Sequence, residues 1–248
     1  MVERDSRSVV GTFFSATAFA AGETIALSDA AAHHARVKRL EVGDAIRLTD
    51  GAGTVGVAQL ASIKKNVVDA TVREIERVAR DAPIHLRVPV GDRDRMLWLA
   101  EKATELGVTS WQAVRFHRSM SVSPRGEGAA FAEKIHGRMI SALEQSSGAW
   151  LPEILPDVAI DSIAIRSHTA RLLLDIEGEP ILNVARLSAG AEPVLLFGPE
   201  GGLEADERDA LIRAGWLPVR LATNTLRFET AGIAAVAAMR AAQLFTES

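Results

Sequence analysis

Short apolar runs alternate with glycine-containing turns over the first eighty residues. Asp50-Gly51 stands between two of these runs, and Asp-Gly between strand-like runs is a strong signal for a β-hairpin. A short helix is expected to begin at Ser28 or Asp29. The highly charged run 73–80 ends the pattern, so we predict a small β-rich domain over residues 1–80. Its apolar runs are 45–48, 55–60 and 67–72.

After Pro83 the chain reads as helices separated by short, mostly apolar strands. Met96, Leu99 and Ala103 repeat with helical spacing, and Gly107 stands where a helix-ending glycine is expected,. Helices that alternate with short apolar strands are typical of an α/β domain with a mostly parallel sheet. We predict such a domain over residues 81–248. The expected strands are 84–90, 111–116, 172–175, 194–197 and 217–221, and the expected long helix is 129–146.

Two turns near the C-terminus carry the candidate chemistry. The first, 198–202, and the second, 224–231, each follow a predicted strand and precede a predicted helix. Open α/β sheets bind their ligands at the carboxyl ends of strands, so the two turns predict one shared pocket. Three glycines in the first turn let backbone approach a ligand closely. The second turn offers opposite charges in Arg227 and Glu229.

Composition narrows the class of protein. The 248 residues are 48% hydrophobic and include no cysteine, which excludes disulfides and thiolate metal sites,. The six histidines show no metal-binding spacing, so we expect no metal,. The charged N-terminus lacks the apolar core of a secretory signal, and no run reaches the roughly 18 apolar residues of a membrane span. We therefore expect a soluble, cytoplasmic protein without a membrane partner.

Charge is distributed unevenly along the chain. The net charge of -4 argues against sequence-blind binding of nucleic acid,. Local basic clusters on an acidic whole suit a selective RNA ligand better, although solvated surface charge is the simpler interpretation. The clusters are Arg36, Lys38 and Arg39, and then Arg115, His117, Arg118 and Arg125.

The glycine turn does not have the features of a phosphate-binding loop. No Gly-Lys-Ser/Thr follows it, and it lacks the Gly-x-Gly-x-x-Gly that opens the first βα unit of a dinucleotide-binding domain,. Glu200 would repel a polyphosphate. A neutral adenosine group or a cationic sulfonium ligand is more compatible with the turn, and a generic strand-to-helix turn is the alternative.

The two turns together resemble the RsmE-type branch of the SPOUT methyltransferases. The resemblance is carried by Gly198-Pro199-Glu200-Gly201-Gly202, by Leu226-Arg227 and by Glu229-Thr230-Ala231. It covers nearly the whole chain. Residues 102–108 and 142–146 with 152–154 also match. Weaker matches, to the N-terminal PUA-like RNA-binding barrel of the family, are His33-His34 with Arg39, Gly43-Asp44 and Asp50-Gly51.

The resemblance implies both a fold and an activity. It implies a PUA-like β-barrel followed by a SPOUT α/β domain with a C-terminal trefoil knot, an exception to the rule that chains do not thread loops. It also implies a homodimer that uses S-adenosylmethionine to methylate N3 of a decoding-region uridine in 16S ribosomal RNA, within the assembled small subunit. The alternatives are a non-catalytic RNA-binding ribosome-assembly factor and a SPOUT methyltransferase acting on another RNA base.

The resemblance also assigns roles to residues. Arg227 would stabilise negative charge on the uracil, and Glu229, or else Glu200, would accept the N3 proton; Glu229 could instead pair with Arg227 or help cap the last helix. The two turns and the loop after 172–175 would surround the adenosine. The expected cofactor residues are Leu174, Phe197, Gly198, Pro199, Glu200, Gly201, Leu221, Asn224 and Leu226, and the expected RNA-binding residues are His33, Arg36, Arg39, Arg93, Arg115, Arg118 and Gln145.

The chain departs from the family in three places near these residues, one of which is Glu204, where a serine often caps the helix after the glycine turn. Ala222-Thr223-Asn224 replaces a frequent Gly-Pro-Arg, which removes one arginine beside the pocket. Val90 replaces a lysine that often precedes the Gly-Asp turn, and Arg93 or Arg95 is close enough in sequence to supply the missing charge.

Overall fold

The structure, a computed structural model, describes residues 9–121, 126–163, 169–187 and 192–246, so Arg125 of the predicted basic cluster lies outside the described residues. The chain divides into two compact units. Unit 1 is Met1–Arg80 with Ile140–Leu151, and unit 2 is Asp81–Met139 with Pro152–Ser248. Residues 140–151 lie within the predicted second domain, but they pack with unit 1.

Unit 1 is built on a five-stranded sheet with one short helix. The strand order is β1-β3-β4-β5-β2, in which β1 and β3 are parallel and the remaining pairs are antiparallel. Helix α1 begins after Ser28, whose side chain accepts a hydrogen bond from the Ala31 N–H, as an N-cap does,. The elements are β1 Thr12–Phe14, β2 Thr24–Leu27, α1 Asp29–Val37, β3 Ala45–Thr49, β4 Thr54–Ile63 and β5 Val68–Arg77.

The predicted hairpin at Asp50-Gly51 is confirmed. It joins β3 to β4, and Asp50 Oδ1 accepts hydrogen bonds from the backbone N–H groups of Ala52 and Thr54 at 2.8 and 2.9 Å. The following strand is longer than predicted, because β5 continues through the charged run to Arg77. Its charged residues are exposed and pair with the start of β4, so backbone pairing extends the strand where hydrophobic pattern alone would end it.

Unit 2 contains a six-stranded sheet in which every pairing is parallel. The strand order is β11-β9-β10-β6-β7-β8. This confirms the predicted α/β architecture, and all five predicted strands are present. The elements are β6 His85–Pro89, α2 Arg93–Glu105, β7 Ser110–Arg115, α3 Ala129–Ser146, β8 Glu153–Ala159, β9 Thr169–Pro180, α4 Ile181–Leu187, β10 Glu192–Phe197, α5 Ala205–Arg213, β11 Leu217–Arg220 and α6 Phe228–Thr246.

Helix α2 shows how sequence sets these elements. Asp92 caps its N-terminus by accepting hydrogen bonds from the N–H groups of Asp94 and Arg95,. Met96, Leu99 and Ala103 are buried on one face, as their spacing predicts,. Gly107 then adopts a φ of 70°, the left-handed conformation that ends many helices and that glycine adopts without strain,. Among the described helices, none is both long and apolar enough to cross a membrane.

Arg240 connects the last helix to the end of α2. Its guanidinium donates hydrogen bonds to three backbone carbonyl oxygens, those of Ala82 at 2.7 Å, Gly107 at 2.7 Å and Leu106 at 3.3 Å. Charged hydrogen bonds of this kind contribute more than neutral ones, and a carbonyl left without a donor is costly.

We predict that Arg240→Met lowers the free energy of unfolding of unit 2 by about 3 kcal/mol, because three carbonyls lose a charged donor while the apolar stem is retained. Urea unfolding followed by tryptophan fluorescence measures this change. Arg213→Met, at an exposed position on α5, is the matched control and should change stability by less than about 0.5 kcal/mol. Equal effects of the two substitutions would contradict the assignment.

Candidate active site

A cavity of about 120 Å³ in unit 2 lies beside residues 174–176 within β9 and at the carboxyl end of β11. Four of the predicted cofactor residues line it, namely Leu174, Leu221, Asn224 and Leu226. The five residues from Phe197 to Gly201 are not among the described residues that line it. The full lining is Leu174, Asp175, Ile176, Val219, Arg220, Leu221, Ala222, Asn224, Thr225, Leu226 and Ala231.

One wall of this cavity is an outward bulge of β9. The register between β9 and β11 passes from Leu173 opposite Pro218 directly to Glu179 opposite Val219, so residues 174–178 leave the ladder. The sequence predicts a loop after Asp175, whereas the structure has a bulge within a longer strand. Gly178 is required at its end, because a Cβ there would collide with the backbone of Pro218 and Val219,.

An ion pair holds the bulge against α5. Arg208 Nε donates to Asp175 Oδ2 at 2.5 Å, and its Nη2 donates to Glu177 Oε2 at 3.1 Å. The hydrogen bond to Asp175 raises the pKa of Arg208, with the charges of both acids adding to the effect. Asp175 is therefore neutralised by Arg208 at the edge of the cavity.

The chemistry of the lining fits a neutral or cationic ligand with an apolar face. Leucine, isoleucine, valine and alanine side chains dominate the wall, and Asn224 and Thr225 add polar groups. Arg220 is the single cation among the described lining residues. Apolar walls with a few polar groups are typical of small-molecule sites. An adenosine group matches this wall, whereas a polyphosphate would need more positive charge.

The glycine turn is packed by the protein itself. Gly202 has a φ of 72° and its N–H donates to the Pro199 carbonyl at 2.8 Å. A Cβ on Gly198 would lie 2.6 Å from the Leu203 side chain, and one on Gly201 would lie 3.3 Å from that of Arg118. The sequence attributes these glycines to the close approach of a ligand. In the structure, neighbouring side chains of the same chain occupy the space beside both.

Glu207 fixes the segment that follows the turn. Its buried carboxylate accepts hydrogen bonds from the backbone N–H of Glu204 at 2.9 Å and of His117 at 2.8 Å. Glu204, at the N-cap position of α5, lies 3.3 Å from Nδ1 of the His117 ring. One acidic side chain therefore joins the start of α5 to the end of β7.

Arg95 lies between the two predicted catalytic acids. Its Nη1 donates to Glu200 Oε1 at 3.0 Å, and its Nε lies 3.9 Å from Glu229 Oε1. Arg95 belongs to the first turn of α2, Glu200 to the glycine turn and Glu229 to the first turn of α6. A single guanidinium therefore brings together three segments that are remote in sequence.

Glu229 is the most unusual acid in unit 2. The residue is only 9% exposed, and its Oε2 atom is buried without a hydrogen-bond donor among the described residues. A buried oxygen of this kind costs about 1–3 kcal/mol. An unpaired buried acceptor is a reason to look for a ligand that supplies the missing donor.

Arg227 does not pair with Glu229. Its side chain is exposed, and within the described ranges the ion-pair partner of Glu229 is Arg95. The alternative interpretation, in which Glu229 pairs with Arg227, is therefore wrong. Arg227 precedes the first residue of α6 and is exposed, whereas Glu229 is the second residue of α6 and is buried.

Arg95 is the residue that the site prediction omits. From the sequence, either Arg93 or Arg95 can supply the charge of the lysine missing before Gly91-Asp92, and only Arg93 is predicted as an RNA-binding residue. The guanidinium of Arg93 instead lies over the Phe131 ring, 5.3 Å from its centroid. A feature of the sequence does point to Arg95. Asp92 is the N-cap of α2, so it fixes the start of this helix and places Arg95 on the first turn.

The other predicted RNA-binding residues fall in both units. In unit 2, Arg115 is exposed, whereas Arg118 donates to the Gly201 carbonyl at 2.6 Å and so supports the glycine turn. In unit 1, Arg36 donates to the Lys65 carbonyl at 2.7 Å. The remaining members, all exposed, are His33, Arg39 and Gln145.

One group of side chains has ligand atoms close enough to hold a metal. In the described ranges these are His117, Glu204 and Asp206, whose ligand atoms lie within 4.8 Å of one another. The spacing of the histidines does not predict this group, because the acids come from another element. The group is largely exposed and His117 is already paired with Glu204, so the structure supports an ion-pair network at this place.

Comparison with protein families extends these observations. Residues 79–240 match the model of an RNA methyltransferase domain, and residues 27–73 match that of an RNA methyltransferase PUA domain. A ribosomal RNA small subunit methyltransferase E from Synechocystis is 27% identical over 88% of this chain and 73% of the relative.

Two solved structures share the fold over nearly the whole chain. The first is a ribosomal RNA small subunit methyltransferase E from Neisseria gonorrhoeae bound to S-adenosyl methionine, 30% identical with a TM-score of 0.84 over 92% of this chain and 96% of that one. The second, described only as a methyltransferase, is from Legionella pneumophila in complex with SAM; it is 25% identical with a TM-score of 0.80 over 95% of this chain and 98% of that one.

We predict that the pKa of His117 lies above its ordinary value of 6.5, because the ring hydrogen-bonds Glu204 and faces the charge of Glu207. A raised folded-state pKa stabilises the fold fully below about pH 6.5, and this contribution is lost as the pH rises through the raised value. Titration of the ring protons by NMR measures it. Glu204→Gln should lower the pKa of His117; an unchanged titration in that variant would contradict this explanation.

Proposed function

Since the chain belongs to the family of ribosomal RNA small subunit methyltransferase E, which uses S-adenosylmethionine, we propose that its target is N3 of a decoding-region uridine in 16S ribosomal RNA. The observation that carries this proposal is the unpaired, buried Oε2 atom of Glu229. Ala231, two residues further on, lines the cavity beside β9 and β11. A proton acceptor and a cavity for an adenosine group thus adjoin in sequence.

The cavity residues are proposed to hold the cofactor. Leu174, Leu221 and Leu226 would contact the adenosine group, with Asn224 and the backbone of the second turn supplying hydrogen bonds. Residues Phe197, Gly198, Pro199 and Gly201 would act through the shape of the glycine turn. When bound, S-adenosylmethionine supplies an electrophilic methyl group on a cationic sulfur.

Glu229 is proposed to remove the uridine proton. N3 of uridine is a weak acid, and its lone pair becomes available for methylation only when the proton leaves. The Oε2 atom of Glu229 is an acceptor without a donor in the described part of the chain, and a positioned base commonly contributes a factor of about 10²–10⁴ to the rate. Arg95 holds Oε1 of the same carboxylate at 3.9 Å and so orients the other oxygen.

Arg227 is proposed to stabilise the charge that deprotonation leaves on the uracil. Its side chain is exposed beside the second turn, so it can approach a substrate without breaking an existing ion pair. A positive group placed where negative charge develops is the largest single contribution in many active sites. Positioning accounts for much of the rest, since methyl transfer requires the reacting atoms to be in line.

Glu200 is the rival base. Its Oε1 already accepts a hydrogen bond from Arg95, and its side chain is more accessible to solvent than that of Glu229. An acid engaged in this way is better suited to orienting Arg95 than to accepting a proton. The structure therefore supports Glu229 over Glu200.

The remaining partners are proposed from the same family. The substrate would be 16S ribosomal RNA within the assembled small subunit, and the site of action the cytoplasm. A homodimer is proposed as well; α6 ends in exposed apolar residues, of which Phe245 is 90% exposed, and a second copy would cover such a surface. Sedimentation velocity gives the mass that tests this.

We also propose the trefoil knot of the SPOUT fold for the C-terminal part of unit 2. The strand order supports it: β11 follows β10 in the chain but lies on the far side of β9. Such an arrangement brings the bulge of β9 and the second turn against one cavity, which is the geometry that a knotted cofactor site requires.

A non-catalytic ribosome-assembly factor is the competing function, because Ala222 and Asn224 of the divergent 222–224 segment line the cavity. Isothermal titration calorimetry with S-adenosylmethionine separates the two. The proposed enzyme binds one molecule per chain; retention of RNA binding without any cofactor binding would favour the assembly factor. A methyltransferase for another base would bind the cofactor but methylate a different atom.

We predict that Glu229→Gln lowers the kcat of methyl transfer to small subunits about 10²-fold to 10⁴-fold, because the amide cannot accept the proton. The affinity for S-adenosylmethionine, measured by calorimetry, should stay within about threefold. Glu105→Gln, an exposed acid on α2 paired with Lys102, is the control and should keep full activity. If the Glu229→Gln enzyme is as active as the control, Glu229 is not the base.

We predict that Arg227→Ala retains cofactor binding but loses methylation, because the cation acts on the developing uracil charge and not on the cofactor. Single-turnover rates with radiolabelled S-adenosylmethionine measure the loss. Arg213→Ala, a similarly exposed arginine on α5, controls for the change in net charge. Equal rates in the two variants would exclude Arg227 from the chemistry.

A further inference from the structure

Unit 1 contains a larger cavity that the methyl-transfer site does not use. This cleft, which we call the α1 cleft, has a volume of about 990 Å³. Its walls come from one face of α1, from strands β1, β3 and β4, and from the end of α3, whose residues from Ile140 onward belong to unit 1. It is lined by Val9, Gly11, Thr12, Ala30, His34, Lys38, Arg47, Val57, Ser141, Glu144, Gln145 and Ser147.

Local structure explains why these side chains converge. On the helix side, residues four apart share one face, so Ala30, His34 and Lys38 point the same way,. On the sheet side, Arg47 of β3 is in register with Thr12 of β1 and with Val57 of β4. Side chains in register on adjacent strands lie on the same face of a sheet. The cleft is therefore a consequence of the fold and not of one loop.

Arg47 is the distinctive residue of the α1 cleft. Its Nε atom is buried, and no acceptor lies within hydrogen-bond distance of it among the described residues. Buried polar atoms are almost always paired, and an unpaired donor on a charged group is especially costly. A ligand with an anionic oxygen would supply the missing acceptor.

The balance of charge in the cleft favours an anion. Arg47 and Lys38 are the two permanent cations of the lining, and Glu144 is its single acid. Burial raises the pKa of Glu144, although the hydrogen bond from the Phe14 N–H at 2.8 Å and the charge of Lys38 act in the opposite direction. One of its oxygens thus accepts the Phe14 N–H and the other lies 3.9 Å from His34 Nδ1, so among the described residues neither Lys38 nor Arg47 is ion-paired with it.

The other polar groups suit a nucleotide better than a lone anion. Ser141, Gln145 and Ser147 stand on the α3 side, and the exposed amide of Gln145 both donates and accepts hydrogen bonds, as the edge of a base requires,. The volume lies at the upper end of the range for sites that enclose a small organic ligand. It is much larger than a phosphate group needs.

We propose that the α1 cleft binds one nucleotide of the substrate RNA strand, with its phosphate between Arg47 and Lys38 and its base facing Gln145. This assignment rests on the proposed function, because it takes RNA as the substrate. It gives the RNA strand a second point of attachment, formed wholly within unit 1. Arginine suits the phosphate because its planar fork matches two phosphate oxygens.

Fluorescence anisotropy with a labelled 16S RNA fragment tests this proposal at several salt concentrations. Arg47→Gln and Lys38→Gln should each weaken binding about tenfold and reduce the slope of log affinity against log salt by about one, since one phosphate contact is lost. Arg73→Gln is the matched control; Arg73 is exposed on β5, bonds Gln59 and does not line the cleft. It should leave the affinity within about twofold.

Glu144→Gln provides a test of opposite sign. The amide oxygen can still accept the Phe14 N–H, so the fold is retained, while the negative charge beside the phosphate is removed. RNA affinity should rise about twofold to threefold. A purely structural role for the cleft predicts no increase, and an unchanged or lower affinity in this variant would count against the proposal.

Three further results decide whether the α1 cleft binds a nucleotide of the RNA. If Lys38→Gln, at an exposed position that folding tolerates, matches Arg73→Gln in both affinity and salt slope, the cleft does not hold RNA phosphate. If inorganic phosphate competes as strongly as unlabelled RNA, the cleft is an anion site and the proposed binding of a nucleotide is wrong. Cofactor binding is measured on the same samples. If the unmodified protein does not bind the cofactor, the proposed function is wrong. If it binds the cofactor and the cleft variants bind RNA normally, only the proposed role of the cleft is wrong.

Discussion

The ion pair from Arg95 to Glu200, with Glu229 on the far side of Arg95, is the interaction on which the proposed active site depends. An ion pair accessible to solvent contributes little to stability, about 0–1 kcal/mol. The unpaired oxygen of Glu229 costs more than that,. The arrangement is therefore poorly explained by stability and well explained by a substrate that donates a proton to Glu229. Arg95 lies 3.9 Å from one carboxylate oxygen of Glu229, and the other oxygen has no donor among the described residues, as the proposed base requires.

The all-parallel sheet of unit 2 makes this arrangement possible. Parallel strands direct their carboxyl ends to one edge, so the glycine turn after β10 and the second turn after β11 emerge on the same side,. The bulge at 174–178 then opens a cavity there, and Arg208 holds it in place. Unit 1 is arranged differently, since its mostly antiparallel sheet and α1 form a cleft lined by Arg47, whose Nε has no acceptor among the described residues. The cavity of unit 2 is mostly apolar, which suits the proposed adenosine group. The α1 cleft carries two cations, which suits the proposed phosphate.

The parts of this structure that local sequence controls were predictable. Apolar runs located the strands, Asp50-Gly51 located a hairpin, and Gly107 located the end of a helix. The parts set by contacts between remote residues were not. Arg95 meets Glu200 across 105 positions and Glu144 meets Phe14 across 130, and no local pattern encodes such pairs. The bulge of β9 escaped prediction for the same reason, because it arises from pairing with β11.

The central claim is that this chain methylates a single uridine of 16S ribosomal RNA at N3, with Glu229 as the base. Mass mapping of 16S ribosomal RNA from cells that lack the protein tests it most directly. We predict that one methyl group disappears, from N3 of a decoding-region uridine. It should return when the unmodified gene is supplied but not when the gene carrying Glu229→Gln is supplied. An unchanged methylation map, or loss of a methyl group from another base, would contradict it.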